Sequence, residues 1–318
     1  MPFSDFKFRH ATMRDLRENF NLFEPDRPLY QPALWKKLPR LFERLLETKR
    51  IRFALLEKTS NGQPQMFAGH TFVDHQLFLE ALHPSHYTVS EALFSMVDAG
   101  RMPFLAPKQV ATQNTNCSLI GFNFSATPEM SLRPVAGNDE DMLLCPAAHR
   151  MTDFFLAGYH LRETWEESSV PRVSNFVSGL GFRTVRQTPC GQGKVRYLNQ
   201  FTVDDARANP GAAASNYMWT VEPKLGLSFG EQEVIEFALL GHTDAEIAVL
   251  LKIGEDGLKK RWRAVYTRVS AADSSLIPES AAPQIKRKLI LEALRGRLEE
   301  IRPYRRRAAG VAIGGCVS

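Results

Sequence analysis

The stretch LSFGEQEVIEFALLGHTDAEIAVLLKIGEDGLKKRWRAVYTRV, residues 227–269, predicts three short helices joined by tight turns. Ser228 with Glu231, and Thr243 with Glu246, have the spacing at which a hydroxyl and a carboxylate cap a helix start reciprocally. Gly241 stands where a helix end favours a left-handed residue. Apolar residues recur every three or four positions in each segment, so each helix has one face suited to burial.

The third predicted helix, which begins near Glu255 or Asp256, combines an apolar face with a cationic one. Lys259, Lys260 and Arg263 are three or four positions apart and therefore share a side. Two short helices joined by a tight turn, the second with a cationic outer face, are typical of a DNA-binding helix-turn-helix. A solvated charged helix is the alternative interpretation of the charge run alone. The apolar positions are Leu258, Trp262, Val265, Tyr266 and Val269.

These 43 residues resemble the C-terminal domain of LuxR/GerE-type bacterial transcription regulators, without a gap. The opening pattern L-[ST]-x-x-E-x-E-[VI] is matched by Leu227, Ser228, Glu231, Glu233 and Val234. The resemblance implies an all-α domain of four helices whose third helix enters the major groove of DNA. Gly230, Gly254, Gly257 and Arg261 depart from the residues usual in the family, which puts sequence preference in doubt. The DNA contacts that the resemblance implies are Thr243, Lys259, Lys260, Arg261 and Arg263.

A fourth helix is predicted over residues 283–304. In the family that helix forms a dimer surface, and the alternative is that its apolar stripe covers the first three helices. Arg302, Arg305, Arg306 and Arg307 are predicted to form a basic tail. Residues 257–307 contain 14 lysines and arginines against five aspartates and glutamates, so the basic charge lies at one end of the chain. Such a block is typical of a module that binds a polyanion.

The first 200 residues predict a mixed α+β domain. Strands are predicted at FKFRHA, SLIGFNFSA and on both sides of the Asn61-Gly62 turn, and a closing hairpin at FRTVRQ and KVRYLNQFT. HRMTDFFLAGYHLRETWEES, residues 149–168, predicts one long amphipathic helix. The resulting domains are an α+β sensory or dimerisation domain (1–203), a linker (204–222), a helix-turn-helix domain (223–307) and a flexible tail (308–318).

Two short segments of the α+β domain are weakly similar to N-acetyltransferase-like folds. FRHATMRDL resembles their first strand and helix start, and NFVSGLGFRTVRQ, residues 175–187, resembles their late helix, Gly-Phe turn and strand. The resemblance implies an acetyl-CoA site built on a glycine-rich loop that opens a helix. No such loop precedes the predicted long helix, where the sequence NDEDMLLCPAAHR is acidic and lacks glycine. That loss argues against ordinary acetyl-CoA catalysis.

Other features of the chain favour structural roles. The four cysteines are widely spaced and are expected to be reduced thiols. His70, His75, His83 and His86 lack further ligands at recognisable spacing, so they are expected to be loop or surface residues and not a metal site. Tyr159, His160 and Trp165 are expected in the core, with a small-molecule pocket as the alternative. No apolar run approaches the roughly 20 residues that a membrane span needs.

The sequence thus predicts a cytoplasmic, sequence-specific DNA-binding regulator that is not an enzyme and needs no cofactor or metal. Expected partners are duplex DNA, a second copy of the chain, and an unknown small-molecule or protein signal at the first domain, with no membrane. The alternative is an acyl-CoA-dependent acyltransferase-like protein with an appended helix-turn-helix. A third hypothesis is an adaptor whose helix-turn-helix has lost DNA binding.

Overall fold

The computed structural model describes residues 6–23, 30–83, 88–126, 139–169, 171–190, 195–219, 221–278 and 280–303. Seven strands and thirteen α-helices lie in these residues. The strands are β1 (Phe6–His10), β2 (Ile51–Lys58), β3 (Pro64–Phe72), β4 (Leu119–Ala126), β5 (Leu161–Ser168), β6 (Arg183–Pro189) and β7 (Val195–Thr202). The helices before residue 220 are α1 (Met13–Glu18), α2 (Pro32–Trp35), α3 (Leu38–Glu47), α4 (His75–Ala81), α5 (Val89–Asp98), α6 (Pro107–Thr115), α7 (Asp139–Leu156), α8 (Pro171–Gly179) and α9 (Val203–Ala208). The later helices are α10 (Phe229–Leu239), α11 (Asp244–Leu250), α12 (Glu255–Ala272) and α13 (Pro283–Leu294).

The strands form one mixed sheet in the order β1-β2-β3-β4-β5-β7-β6. Every neighbouring pair is antiparallel except β4 and β5, which run parallel. A parallel pair needs a crossover, and α7 supplies it. The predicted mixture of strands and helices in the first domain is confirmed.

Both faces of the sheet are covered, because successive strand residues point to opposite sides. On one face, Phe53 and Phe124 pack with the helices that precede β4, as in the contacts of both rings with Phe42 of α3. On the other face, Ala54 and Leu56 belong to a cluster with residues of α7. α8 and α9 complete that second face beside β5 and β7.

The long helix predicted over residues 149–168 is wrong in its second half. α7 ends at Leu156, Gly158 takes a left-handed conformation with φ +82°, and β5 follows from Leu161. β5 pairs with β4 on one side and β7 on the other. Hydrogen bonds and burial on both sides of a central strand outweigh the helical apolar spacing of the sequence.

The segment predicted as a linker instead contributes structure to the first domain. α9 is followed by a 3-10 helix, Ala213–Tyr217. Ala206, Ala214 and Tyr217 are fully buried and belong to the same apolar cluster as Leu161 of β5. The polar, glycine- and proline-containing composition of the segment concealed these few buried contacts.

The three helices predicted over residues 227–269 are confirmed as α10, α11 and α12. Both predicted capping boxes are present, at Ser228–Glu231 and Thr243–Glu246, and Gly241 has φ +89°. The predicted fourth helix is shorter than expected, since α13 ends at Leu294 and a 3-10 helix, Leu298–Ile301, follows. The basic-tail prediction is wrong for Arg302, which is fully buried, and residues 305–307 lie outside the described residues.

Cys117 corrects the prediction of reduced thiols, because it is disulfide-bonded. Its partner lies outside the side chains that the structure describes. Cys190 is a buried thiol.

Candidate functional site

The candidate site lies at the carboxyl ends of β4 and β5. The two strands stay paired from Ile120 opposite Glu163 to Phe124 opposite Glu167, so both end at the same edge of the sheet. In open α/β sheets, ligands bind outside the carboxyl ends of parallel strands. α7 begins at Asp139, after β4, and a helix start presents backbone N–H groups to an anion. The segment NDEDMLLCPAAHR, residues 138–150, was expected to precede the helix, but all of it after Asn138 lies within α7. Residues 127–138, between β4 and α7, lie outside the described residues.

Glu167 is a buried carboxylate at this edge, with 1% of its surface exposed. One oxygen accepts from the N–H of Val89 at 2.8 Å, and the other from the N–H of Ser90 at 2.8 Å and from the Ser90 hydroxyl. A guanidinium nitrogen of Arg196 lies 3.6 Å from the second oxygen. Val89 and Ser90 are at the start of α5 and Arg196 is on β7, so Glu167 joins β5 to both elements and holds this edge in place.

A chain of buried polar side chains crosses the sheet on the face covered by α7. Nδ1 of His70 on β3 lies 2.7 Å from Oδ1 of Asn123 on β4, and Nδ2 of Asn123 donates to the Thr164 hydroxyl on β5 at 3.3 Å. Since the Asn123 oxygen accepts, Nδ1 of His70 carries the proton and Nε2 carries the lone pair. Nε2 has no hydrogen-bond partner among the described residues.

His70 is neutral because burial, foremost, lowers its pKa to about 4. Nearby Arg52 and His10 lower that pKa further, while the bond with Asn123 opposes them. A neutral imidazole with one oriented lone pair is a hydrogen-bond acceptor, and its low pKa makes it a weak base. The prediction of loop or surface histidines is therefore wrong for His70, which also stacks on Phe155 of α7.

Asn199 extends the polar side chains towards the far edge of the sheet. Its Oδ1 accepts from the hydroxyl of Thr184 on β6 at 2.7 Å and from that of Ser174 on α8 at 3.2 Å. Asn199 is fully buried, and its Nδ2 has no partner among the described residues. We call His70, Asn123, Thr164 and Asn199 the polar row. It holds one acceptor and one donor, both buried and both unpartnered among the described residues, beneath α7 and α8.

The two cavities that the structure describes lie elsewhere. One, of about 280 Å³, is lined by residues 221–225 with Asp273 and Arg297, among others. The other, of about 220 Å³, lies between β1, α7 and the end of α10. Neither cavity is lined by a residue of the polar row or by Glu167.

The residues predicted to contact DNA fall into two groups. Lys259, Lys260 and Arg263 are exposed on α12, and Nζ of Lys259 lies 3.7 Å from a carboxylate oxygen of Asp256. Arg261 instead turns towards α10 and donates to the Gly230 carbonyl at 3.2 Å. A Cβ at Gly230 would lie 3.0 Å from the Arg261 guanidinium carbon, so the arginine would have to shift to admit a larger residue.

Thr243 is exposed at the start of α11, but its hydroxyl is used within the helix. It accepts from the N–H of Glu246 at 3.3 Å and donates to the Glu246 carboxylate at 2.9 Å. A carboxylate therefore stands where a phosphate was expected. Contact of Thr243, Lys259, Lys260, Arg261 or Arg263 with DNA stays a prediction.

No described group of three or more His, Cys, Asp or Glu side chains is placed to hold a metal ion. No helix among the described residues is long and apolar enough to cross a membrane. Tyr159, His160 and Trp165 are buried, as the core interpretation predicted, but none lies on a helix.

Sequence reasoning missed the polar row and Glu167, although a signal was present for part of them. Asn123 and His70 interrupt apolar strands, SLIGFNFSA and QMFAGHTFV, where an isolated polar residue must find a partner when buried. Thr164 and Glu167 carried no usable signal, because their segment was assigned to a helix.

Comparison with known proteins gives similarity of structure only. No protein-family model and no curated protein sequence matches the chain. An uncharacterized protein from Bacillus halodurans is 10% identical, with a TM-score of 0.37, over 67% of this chain and 88% of that one. The ribosomal-protein-S5-alanine acetyltransferase from Vibrio fischeri is 10% identical, with a TM-score of 0.36, over 63% and 94%. An N-acyl amino acid synthase from uncultured soil microbes is 11% identical, with a TM-score of 0.37, over 67% and 97%.

These matches correct the function predicted from the sequence. A DNA-binding regulator that is not an enzyme was expected, whereas the matched structures of named activity include an acetyltransferase and an N-acyl amino acid synthase. The matched structures agree with the weak N-acetyltransferase-like resemblance of the first domain. None of them supports the LuxR/GerE resemblance. At these scores the similarity assigns no activity to this chain.

Proposed function

We propose that the chain is an acyl-CoA-dependent acyltransferase-like enzyme with an appended C-terminal helical unit. The observation that carries the proposal is the parallel β4–β5 pair, with α7 beginning after β4, in a sheet whose other neighbours are antiparallel. This arrangement brings two strand ends and a helix start to one edge. The buried polar row lies beneath the same helix.

The residues at this edge fit an anionic acyl donor in one respect and oppose it in another. The backbone N–H groups of a helix start suit a phosphate. The sequence at the start of α7, however, is acidic, with Asp139, Glu140 and Asp141. Negative charges at a helix start oppose a polyanion, so affinity for coenzyme A is expected to be weak compared with a site whose sequence lacks them.

The chemistry of the proposed reaction is simple. An acyl-CoA thioester supplies an activated acyl group. Transfer to an amine breaks the C–S bond, forms a C–N bond and moves one proton from the amine to the departing thiolate. In this chain, Glu167 and Ser90 hold the edge of the sheet, while Nε2 of His70 and Nδ2 of Asn199 are an acceptor and a donor without described partners.

Binding by the full-length chain tests the proposal directly. Acetyl-, octanoyl- and palmitoyl-CoA would be titrated by calorimetry, and thermal unfolding followed in parallel. A ligand at about 100 times its Kd is expected to stabilise the folded chain by about 2.7 kcal/mol. Release of free thiol on addition of amines would then report transfer. No heat and no stabilisation with any of the three at about 1 mM would overturn the proposal, because that concentration detects even weak sites.

The C-terminal unit is proposed to be a helix-turn-helix, on the basis of α10, α11 and α12 and their capping boxes. Duplex DNA, a second copy of the chain and a small-molecule or protein signal stay predictions as partners. The unit lies beside Arg52 and Tyr159, near the amino ends of β4 and β5. It therefore leaves the carboxyl end of the parallel pair uncovered.

A further inference from the structure

The C-terminal helical unit has an apolar core of its own. Its fifteen buried apolar residues all lie between Leu225 and Ile301. The buried clusters of the sheet domain draw their members from residues 11–218. Among the described residues, no buried apolar cluster includes members from both parts. Packing of a shared core is therefore not what holds the helical unit to the sheet.

Polar contacts join the two parts, and Glu236 of α10 is at their centre. Its Oε1 lies 3.1 Å from a guanidinium nitrogen of Arg302, 3.1 Å from one of Arg52 on β2, and 3.6 Å from Nε2 of His10 on β1. Glu236 is buried and the Arg302 side chain is 0% exposed. The Glu236 carboxylate is thus the shared counter-charge of Arg52 from the sheet and of Arg302 from the end of the helical unit.

The segment from Leu298 to Pro303, which we call the strap, carries Arg302 across the junction. Towards the sheet domain, Arg302 donates to the carbonyls of Phe154 and Ala157 at the end of α7, the second at 3.0 Å. Its guanidinium carbon lies 4.9 Å from the Tyr159 ring centre. Asn114 of α6 donates to the Pro303 carbonyl at 2.8 Å.

Towards the helical unit, the strap is anchored by other bonds. Gln232 of α10 donates to the Arg302 carbonyl at 2.7 Å. The Glu300 carboxylate accepts from the N–H groups of Lys224 and Leu225 at 2.9 to 3.0 Å. The strap therefore stays with the helical unit when its contacts with the sheet domain break.

We infer that the helical unit is reversibly docked, and that the latch consists of the contact of Glu236 with Arg52 and the contacts of Arg302 with the end of α7. A polar junction between separately cored units resembles a transient protein–protein interface. Release exposes little core and returns the buried ions to water, whereas removal of one partner leaves a buried charge uncompensated. The latch does not depend on acyl-CoA binding.

Glu236→Gln in the full-length chain is the test, with Glu233→Gln as the matched control. Glu233 is one turn earlier on α10 and pairs with Lys49, but that pair is substantially exposed, so its loss is expected to have little effect. Loss of the Glu236 carboxylate leaves Arg52 and Arg302 without their shared counter-charge in the docked state, so the released population is expected to rise about a hundredfold or more. Proteolysis in the connector at residues 219–224 reports that population when opening is fast. X-ray scattering reports the accompanying rise in radius of gyration.

The expected result is rapid connector cleavage and an expanded particle for Glu236→Gln, with unchanged helix content and both products folded. Unchanged cleavage and size, or cleavage only on global unfolding, would overturn the inference. If Glu236→Gln fails to fold, Arg302→Lys is the second test. This substitution keeps a cation but loses the two-pronged hydrogen bonding of the guanidinium group. It is expected to give the same release to a smaller degree, and cleavage at the wild-type rate would count against the latch.

Discussion

His70 shows how one buried side chain can set the response of the chain to acid. In the folded chain burial lowers its pKa to about 4, compared with 6.5 for an ordinary histidine. Between those values the unfolded chain binds a proton that the folded chain does not, so stability rises with pH. The stability is complete above about pH 6.5 and is lost as the pH falls towards 4.

We predict that replacing His70 flattens this dependence. The pKa difference corresponds to about 3 kcal/mol at full effect. The free energy of unfolding would be measured in urea at pH 7.5 and pH 4.5 for the wild type and His70→Gln. The variant is expected to be less stable at pH 7.5, since it loses the Asn123 bond, but to lose less on acidification. Parallel losses in both proteins would contradict the assignment of a neutral buried histidine.

Gly158 is a second position where a single residue decides the structure. Its φ is +82°, and a Cβ there would lie 2.4 Å from the Glu299 backbone nitrogen in the strap. Gly100 has nearly the same conformation, φ +80°, but a Cβ there meets nothing within 4 Å. The pair separates the backbone cost of a left-handed alanine from the cost of a clash.

We predict that Gly100→Ala costs about 1 kcal/mol, the strain of a left-handed non-glycine residue, and that Gly158→Ala costs clearly more. Urea unfolding measures both. Hydrogen exchange at the Lys224 and Leu225 amides, which bond to Glu300, should accelerate only in Gly158→Ala. If both substitutions lowered the free energy of unfolding equally, the strap backbone would not be in close contact with Gly158.

At the scale of elements, acidic residues at the start of α7 affect helix stability and anion binding in opposite directions. Acidic side chains stabilise a helix N-terminus through its dipole, but they repel an anionic ligand at the same place. The acidic sequence at residues 139–141 therefore favours the helix over a bound phosphate. The acidic first turn of α12, with Glu255 and Asp256, provides a comparison remote from the proposed site.

We predict that Asp139→Asn, Glu140→Gln and Asp141→Asn together lower thermal stability and raise acyl-CoA affinity about tenfold, at a few tenths of a kcal/mol for each charge. Glu255→Gln with Asp256→Asn should lower stability without changing affinity. Calorimetric titration and thermal unfolding of the same samples give both quantities. If the α7 variant bound acyl-CoA no better than the control, the ligand would not sit at this helix start.

The elements also show where sequence patterns lose their power. Helix starts at Ser228 and Thr243 were predictable because a capping box needs only four consecutive residues, and both capping boxes are present. β5 was mistaken for a helix because its identity depends on β4 and β7, which are distant in the chain. Tertiary pairing overrides local periodicity in such strands.

On the scale of the whole molecule, the polar junction has a pH consequence. Although burial opposes its ionisation, the guanidinium groups of Arg52 and Arg302 and the neighbouring His10 side chain hold the pKa of Glu236 well below its usual range. Docking contributed by this carboxylate is thus complete above its ordinary pKa and is lost only in strong acid. Acidification to about pH 5 therefore reduces the stability contributed by His70 while Glu236 is still ionised. A pH titration can separate the two effects.

The sequence alone determined the local features: the strands beside tight turns, the capped helices and the exposed cations on α12. Each of these depends on residues within one or two turns of one another. Only the tertiary structure decided which polar residues are buried together. Arg302 meets Glu236 across 66 positions and Ala157 across 145, and Glu167 meets Ser90 across 77. Such contacts leave no periodic trace in the sequence, because one isolated charge looks the same whether water or a distant partner surrounds it.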